Sequence, residues 1–104
     1  GPDAATIIPE IEPERVRAAV VESLAWHDAI DAGSPNRVLN EGRLILLIED
    51  GAWVSKPEGA RRLRARAPEL ADVIDEALRA RTEGRWLDPA LADRVSERLA
   101  RSLR

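Results

Sequence analysis

Two helix boundaries lie close together in the stretch Arg37-Val-Leu-Asn-Glu-Gly-Arg43-Leu-Ile-Leu-Leu-Ile-Glu-Asp-Gly51-Ala-Trp-Val-Ser-Lys56-Pro-Glu58. After Arg37, its first part is a mostly apolar run with one arginine, Arg43, in its middle. The run stops at Asp50-Gly51, a pair typical of helix ends. Ser55, followed three residues later by Glu58, fits a capping box and predicts a new helix start. The stretch therefore predicts two helices joined by a tight connection.

Lys56 falls in the first turn of the second of these helices, where the helix dipole favours an anion. A cation at this place indicates a phosphate ligand held jointly by Lys56, the helix start and a partly buried Arg43. The alternative is a surface lysine beside an arginine whose stem lies on the core while its head reaches water. Spacing alone leaves both interpretations open and favours the second.

The rest of the chain predicts an all-α fold, a compact bundle of about five helices. Strong helix formers dominate, and β-branched residues never alternate with polar ones over the length of a strand. Residues 1–12 are predicted to be a lead-in or linker, and residues 13–104 a single helical domain. The predicted helices span Pro13 to about Ile30, Pro35 to about Asp50, Lys56 to about Arg66, Leu70 to just before Gly84, and Pro89 onward. The second has apolar residues on more than one face, which predicts that it is the central helix.

Composition excludes several kinds of site and partner. The chain has no cysteine and one histidine, His27, so a disulfide framework and a standard zinc site are excluded. No apolar run approaches the ~20 residues of a membrane span, and no secretory signal is present, so we expect a cytoplasmic protein with no membrane partner. A net charge of −3 argues against a nucleic-acid partner and suits a cationic ligand.

The motifs also support a family resemblance. Val38-Leu39-Asn40, Arg43, the apolar run, Gly51 and Ser55-Lys56-Pro57-Glu58-Gly59 follow one another in an order and spacing that resemble the C-terminal helical domain of aminoglycoside nucleotidyltransferases. Within this family, the sequence is similar to the streptomycin/spectinomycin adenylyltransferases, and the resemblance covers nearly the whole chain. It implies a substrate-binding and nucleotide-assisting domain of an antibiotic-resistance enzyme, joined to an N-terminal nucleotidyltransferase domain.

The resemblance also implies the residues of the site. Arg43 and Lys56 match, without a gap, family positions that reach the nucleotide triphosphate. Trp26 matches an aromatic residue that contacts the aminoglycoside, and it lies off the Val16-Val20-Leu24 stripe of the first predicted helix. A carboxylate from Asp28 or Asp31 would bind the ammonium groups of such a sugar. The choice between the two acids stays open.

The sequence departs from the family pattern at two of its polar positions. Arg81 stands where some relatives carry a tyrosine that points toward the nucleotide. Gly33 stands where some relatives carry an acid just before the central helix. The first departure affects the expected contacts to the nucleotide, and the second affects which drugs the domain is expected to bind.

A nucleotidyltransferase holds Mg²⁺ with an Asp-x-Asp pair, and this sequence contains none. We therefore expect no catalytic residue, metal ligand, cofactor or activity in this chain alone, with ATP and Mg²⁺ implied for the full-length enzyme. Two other hypotheses stay open. One is a stand-alone module that binds or sequesters a small cationic ligand such as an aminoglycoside, and the other is a helical protein–protein interaction domain.

Overall fold

Helices make up most of the chain in the computed structural model, which describes residues 6–7, 14–15, 17–22 and 32–104. The helices with defined bounds are α1 (Pro35–Asp50), α2 (Lys56–Arg66), α3 (Ala71–Glu83) and α4 (Pro89–Ser102), with a 3₁₀ turn at Pro68–Leu70. Residues 14–15 and 17–22 are also helical, within the first predicted helix. The predicted all-α fold is confirmed.

The structure also contains a short antiparallel β-pair that the sequence pattern does not predict. Strand β1 (Thr6–Ile7) pairs with β2 (Ala52–Trp53), so that Thr6 lies opposite Trp53 and Ile7 opposite Ala52. Part of the predicted lead-in is therefore tied to the connection between α1 and α2. The division of the chain into residues 1–12 and 13–104 stays a prediction.

Local signals set both ends of α1. The Ser34 hydroxyl accepts a hydrogen bond of 3.2 Å from the Asn36 N–H, and Pro35 occupies the first turn, where no N–H partner is needed. At the other end Gly51 adopts a left-handed conformation (φ 68°), and its N–H binds the Leu47 carbonyl. Only glycine adopts this conformation without strain, so the helix ends there.

Helix α1 is the central helix, as its two-faced apolar pattern predicts. It packs against α2, α3 and α4. The core combines its Val38 and Ile45 with Val20 of the N-terminal helical segment and with two apolar stripes. The stripe of α3 is Val73, Ile74 and Ala77, and that of α4 is Ala92, Val95 and Leu99.

Two glycines let α1 and α2 pack closer together than side chains at these positions would allow. A Cβ on Gly42 of α1 would lie 2.8 Å from Cδ2 of Leu63 on α2. A Cβ on Gly59 of α2 would lie 2.9 Å from Cγ of Arg43 on α1. Each helix therefore presents bare backbone to a large side chain of the other. This packing presses the stem of Arg43 against the first turns of α2.

Glu49 joins the C-terminal ends of three helices. Its carboxylate accepts hydrogen bonds from Arg98 of α4 at 2.5 and 3.0 Å, from Ser102 at 2.5 Å, and from Arg66 of α2 at 3.2 Å. The hydrogen bond from Arg98 is the main reason that the pKa of Glu49 falls from 4.5 to about 2. A carboxyl whose pKa is lowered in the folded state stabilises that state whenever it is ionised.

We expect Glu49→Gln to lower the free energy of unfolding at pH 7 by about 1–3 kcal/mol, because charge-assisted hydrogen bonds become neutral ones. The stabilisation by Glu49 is fully present above its unfolded pKa of 4.5 and is lost as the pH falls toward about 2. Urea unfolding followed by circular dichroism should therefore show a difference from wild type that shrinks between pH 5 and pH 2. Glu97→Gln, at an exposed position of α4, is the matched control and should change stability little. A pH-independent difference would contradict this account of Glu49.

Candidate functional site

Arg43 is held in one orientation by three neutral groups. Its Nε donates a hydrogen bond of 2.8 Å to the carbonyl oxygen of Val54, and its Nη1 donates one of 3.3 Å to Oδ1 of Asn40. The guanidinium carbon lies 4.0 Å from the ring centroid of Trp53. Partial burial lowers the pKa of Arg43, although an arginine stays protonated at neutral pH.

Lys56 reaches the same face of α1 from the first turn of α2. Its Nζ donates a hydrogen bond of 3.3 Å to Oδ1 of Asn36. Asn36, Asn40 and Arg43 recur at helical spacing along one side of α1, the two asparagines one turn or about 6 Å apart. The structure therefore brings the two predicted cations to one surface, each bound to an asparagine of α1.

The partners of these cations differ from those of most arginines in this domain. Arg62, Arg94 and Arg98 each contact a carboxylate, as do several others. Among residues 32–104, by contrast, neither Arg43 nor Lys56 has a carboxylate within ion-pair distance. A partly buried cation is normally neutralised by an anion. The neutral surroundings of Arg43 and Lys56 therefore suit an anion that a ligand supplies.

The backbone at the start of α2 contributes less to such a site than the sequence predicts. The Ser55 hydroxyl accepts the N–H of Glu58 at 3.3 Å, which confirms the predicted cap. The Ser55 carbonyl accepts the N–H of Gly59 at 2.7 Å, and Pro57 has no N–H. The carboxylate of Glu58 binds Arg61 and Arg62, which lowers its pKa to about 2. Positive charge at this surface therefore comes from side chains more than from backbone donors.

A buried ionic network between α1 and α4 was not predicted from the sequence. Arg37 is 1 % exposed and Glu41 0 % exposed. Nε of Arg37 lies 3.5 Å from the Glu41 carboxylate, and its Nη2 donates to Asp93 at 2.7 Å and to Ser96 at 2.8 Å. The Ser96 hydroxyl in turn donates to Glu41. An Arg and a Glu four residues apart usually form a surface pair. The apolar residues on several faces of α1 were the signal that this pair is buried.

The same arginine holds the segment that enters α1. Its Nη1 donates a hydrogen bond of 2.6 Å to the carbonyl of Ala32. The next residue, Gly33, accepts a hydrogen bond of 2.7 Å from the N–H of Leu87, in the connection between α3 and α4. A Cβ at Gly33 would lie only 2.5 Å from the Leu87 carbonyl oxygen, so any side chain at this position would require the backbone to shift.

Several predicted site residues belong to the part of the chain that the structure does not describe. Trp26, Asp28 and Asp31, predicted to bind the aminoglycoside, lie outside the described residues, as does His27. Their roles stay predictions. Arg81, at the place of the family tyrosine, is exposed in the last turn of α3.

Within the part of the chain that the structure describes, no group of three or more His, Cys, Asp or Glu side chains is placed to hold a metal ion. No helix there has the length and apolar character to cross a membrane.

Comparison with known families gives one match. The family model described as aminoglycoside adenylyltransferase, C-terminal domain, matches residues 6–103. No curated protein and no solved structure matches the chain significantly. The matched residues include β1, all the helices with defined bounds, and both Arg43 and Lys56.

We expect Arg37→Met to lower the free energy of unfolding by about 3–5 kcal/mol, because it removes a buried cation from beside the buried carboxylate of Glu41. The double variant Arg37→Met/Glu41→Leu should be more stable than this single variant, since both charges are removed together. Urea unfolding of both variants measures the difference. Arg101→Met, at an exposed position of α4, serves as control. A double variant no more stable than Arg37→Met would contradict the ionic role of the pair.

Proposed function

Because the chain belongs to the family of aminoglycoside adenylyltransferase C-terminal domains, we propose that it binds substrate and assists the nucleotide in such an enzyme. The reaction joins a hydroxyl of the drug to the α-phosphorus of ATP and releases pyrophosphate. Negative charge on the phosphate oxygens must be stabilised as the bond to pyrophosphate breaks. In this proposal Arg43 and Lys56 supply part of that stabilisation from the helical domain.

One observation carries the phosphate role. A partly buried arginine and a lysine reach the same face of α1 with only neutral partners among the described residues. Nη2 of Arg43 has no acceptor among those residues, so one edge of the guanidinium is available for a phosphate oxygen. Arginine suits this task because its planar group donates paired hydrogen bonds, and lysine adds a compact charge beside it.

The aminoglycoside would bind closer to the start of α1 than the nucleotide phosphates do. Trp26 would supply an aromatic wall, and Asp28 or Asp31 would accept hydrogen bonds from the ammonium groups. Ala32 and Gly33 follow directly, and Arg37 and Leu87 hold their backbone. The chain leaving the proposed drug site is thus anchored to the helical core.

The described residues do not fit a magnesium site, since they include no suitable group of acids. We assign Mg²⁺ and the general base to the N-terminal nucleotidyltransferase domain that the proposal requires. Use of ATP and an intracellular drug target would place the enzyme in the cytoplasm, with antibiotic resistance as the outcome. No specific observation favours the stand-alone ligand-binding module or the protein–protein interaction domain.

The phosphate role is tested by titrating this chain with ATP in calorimetry at low salt, where charge attraction is least screened. We expect Arg43→Met and Lys56→Met each to weaken binding about 10-fold, the loss of one charge-assisted contact. Arg101→Met, whose side chain is on α4, should bind like wild type. Equal affinities for all four proteins would contradict the proposal.

The chain alone, with ATP, Mg²⁺ and streptomycin or spectinomycin, should transfer no nucleotide, and clear transfer would refute the assignment of chemistry to another domain.

The drug role is tested with Trp26→Ala, Asp28→Asn and Asp31→Asn. We expect Trp26→Ala to weaken aminoglycoside binding by about 0.5–2 kcal/mol, the range of a cation–π contact. Whichever aspartate variant loses affinity identifies the carboxylate that binds the drug. Calorimetry on a polypeptide that also carries the nucleotidyltransferase domain gives the measurement. An unchanged drug affinity in Trp26→Ala would refute the assignment of that residue.

A further inference from the structure

The guanidinium carbon of Arg43 lies over the ring of Trp53, 4.0 Å from the ring centroid. A tryptophan ring attracts a cation over its face through its quadrupole. The contact restricts where the guanidinium of Arg43 can lie.

The in-plane contacts then determine which edge of Arg43 is available. Nε is bound to the Val54 carbonyl and Nη1 to Asn40, while Nη2 has no acceptor among the described residues. The ring contact and the two hydrogen bonds together orient the guanidinium. An arginine oriented in this way loses less conformational entropy when it binds an anion.

Residues 53–56 supply the ring of Trp53, the carbonyl that accepts from Nε of Arg43, and Lys56. Trp53 ends β2, Val54 follows it and is 2 % exposed, Ser55 caps α2, and Lys56 begins that helix. The segment is held from two sides. Strand β2 contacts α1, and its backbone pairs with β1, Trp53 opposite Thr6.

We infer that Trp53 is a positioning residue for Arg43, and that pairing with β1 holds Trp53 in place for this task. The inference rests on the proposed phosphate role of Arg43 and Lys56. It adds an aromatic residue to the polyphosphate site, one that touches no phosphate itself. It also makes residues 6–7 a supporting part of that site.

The test is calorimetric titration of the 104-residue chain with inorganic tripolyphosphate at low salt. Trp53→Ile retains an apolar side chain that suits a strand but removes the ring face. It should weaken binding about 3- to 10-fold, the factor expected from losing a cation–π contact. Trp53→Phe retains a ring face and should bind within about twofold of wild type, which is the rescue that a purely structural role does not predict.

A spectroscopic signature separates positioning from general destabilisation. The Nε–H resonance of Arg43, assigned by its loss in Arg43→Lys, should be shifted by the ring current of Trp53 in wild type and in Trp53→Phe. The resonance should return toward the position of a free arginine in Trp53→Ile.

Deletion of residues 1–7 tests the role of β1. It should weaken tripolyphosphate binding by a similar factor and add little in the Trp53→Ile background, since both changes act on one contact.

The outcomes distinguish this inference from the function on which it rests. If wild type binds tripolyphosphate no better than Arg43→Met, the phosphate role fails and the inference fails with it. If wild type binds and Trp53→Ile binds equally well, or the Nε–H resonance is the same in both, the inference alone is overturned. If deletion of residues 1–7 changes neither binding nor the resonance, the role of β1 is overturned.

Discussion

The close approach of α1 and α2 is the constraint on which the rest of the structure depends. It is made possible by Gly42 and Gly59, each of which faces a large side chain of the opposite helix. Because the two helices approach so closely, the stem of Arg43 lies along α2 and its head meets Trp53 and Val54. Residues 37–59 therefore contain, in one continuous sequence, both glycines of this helix pair and the residues that hold the head of Arg43.

Arg43 differs in its partners from the arginines that hold helices together. Arg98 forms an ion pair with Glu49 of α1, and Arg94 forms one with Asp72 of α3, so each joins α4 to another helix. Arg43 is bound instead by amide oxygens and an aromatic ring. Neutral acceptors orient a cation without cancelling its charge. In the proposed phosphate site, the charge of Arg43 would therefore remain available to the ligand while its orientation is set beforehand.

Sequence reasoning predicted well those features that depend on neighbouring residues. Ser34 with Pro35, Gly51, and Ser55 act on the backbone within one turn, so the ends of α1 and the start of α2 follow from local chemistry. The family resemblance assigned Arg43 and Lys56 to one site, and the structure binds them to Asn40 and Asn36, one turn apart on α1. Their phosphate role and the role of Trp26 stay predictions.

Features that depend on distant residues were not predictable from these patterns. The burial of Arg37 with Glu41 depends on Ser96 and Asp93, which lie more than 50 residues later in the chain. The β-pair needs Thr6–Ile7 to meet Ala52–Trp53, and strands of two residues carry no periodicity to detect. Both features arise from tertiary packing, which local propensity does not encode.

The backbone contact between Gly33 and Leu87 limits which residues position 33 can carry. Any other residue there would place its Cβ 2.5 Å from the Leu87 carbonyl oxygen, closer than such atoms approach in proteins. A substitution at position 33 is therefore coupled to the connection between α3 and α4, which has to shift to make room for the side chain. Libraries that vary position 33 should accordingly vary residues 84–88 as well.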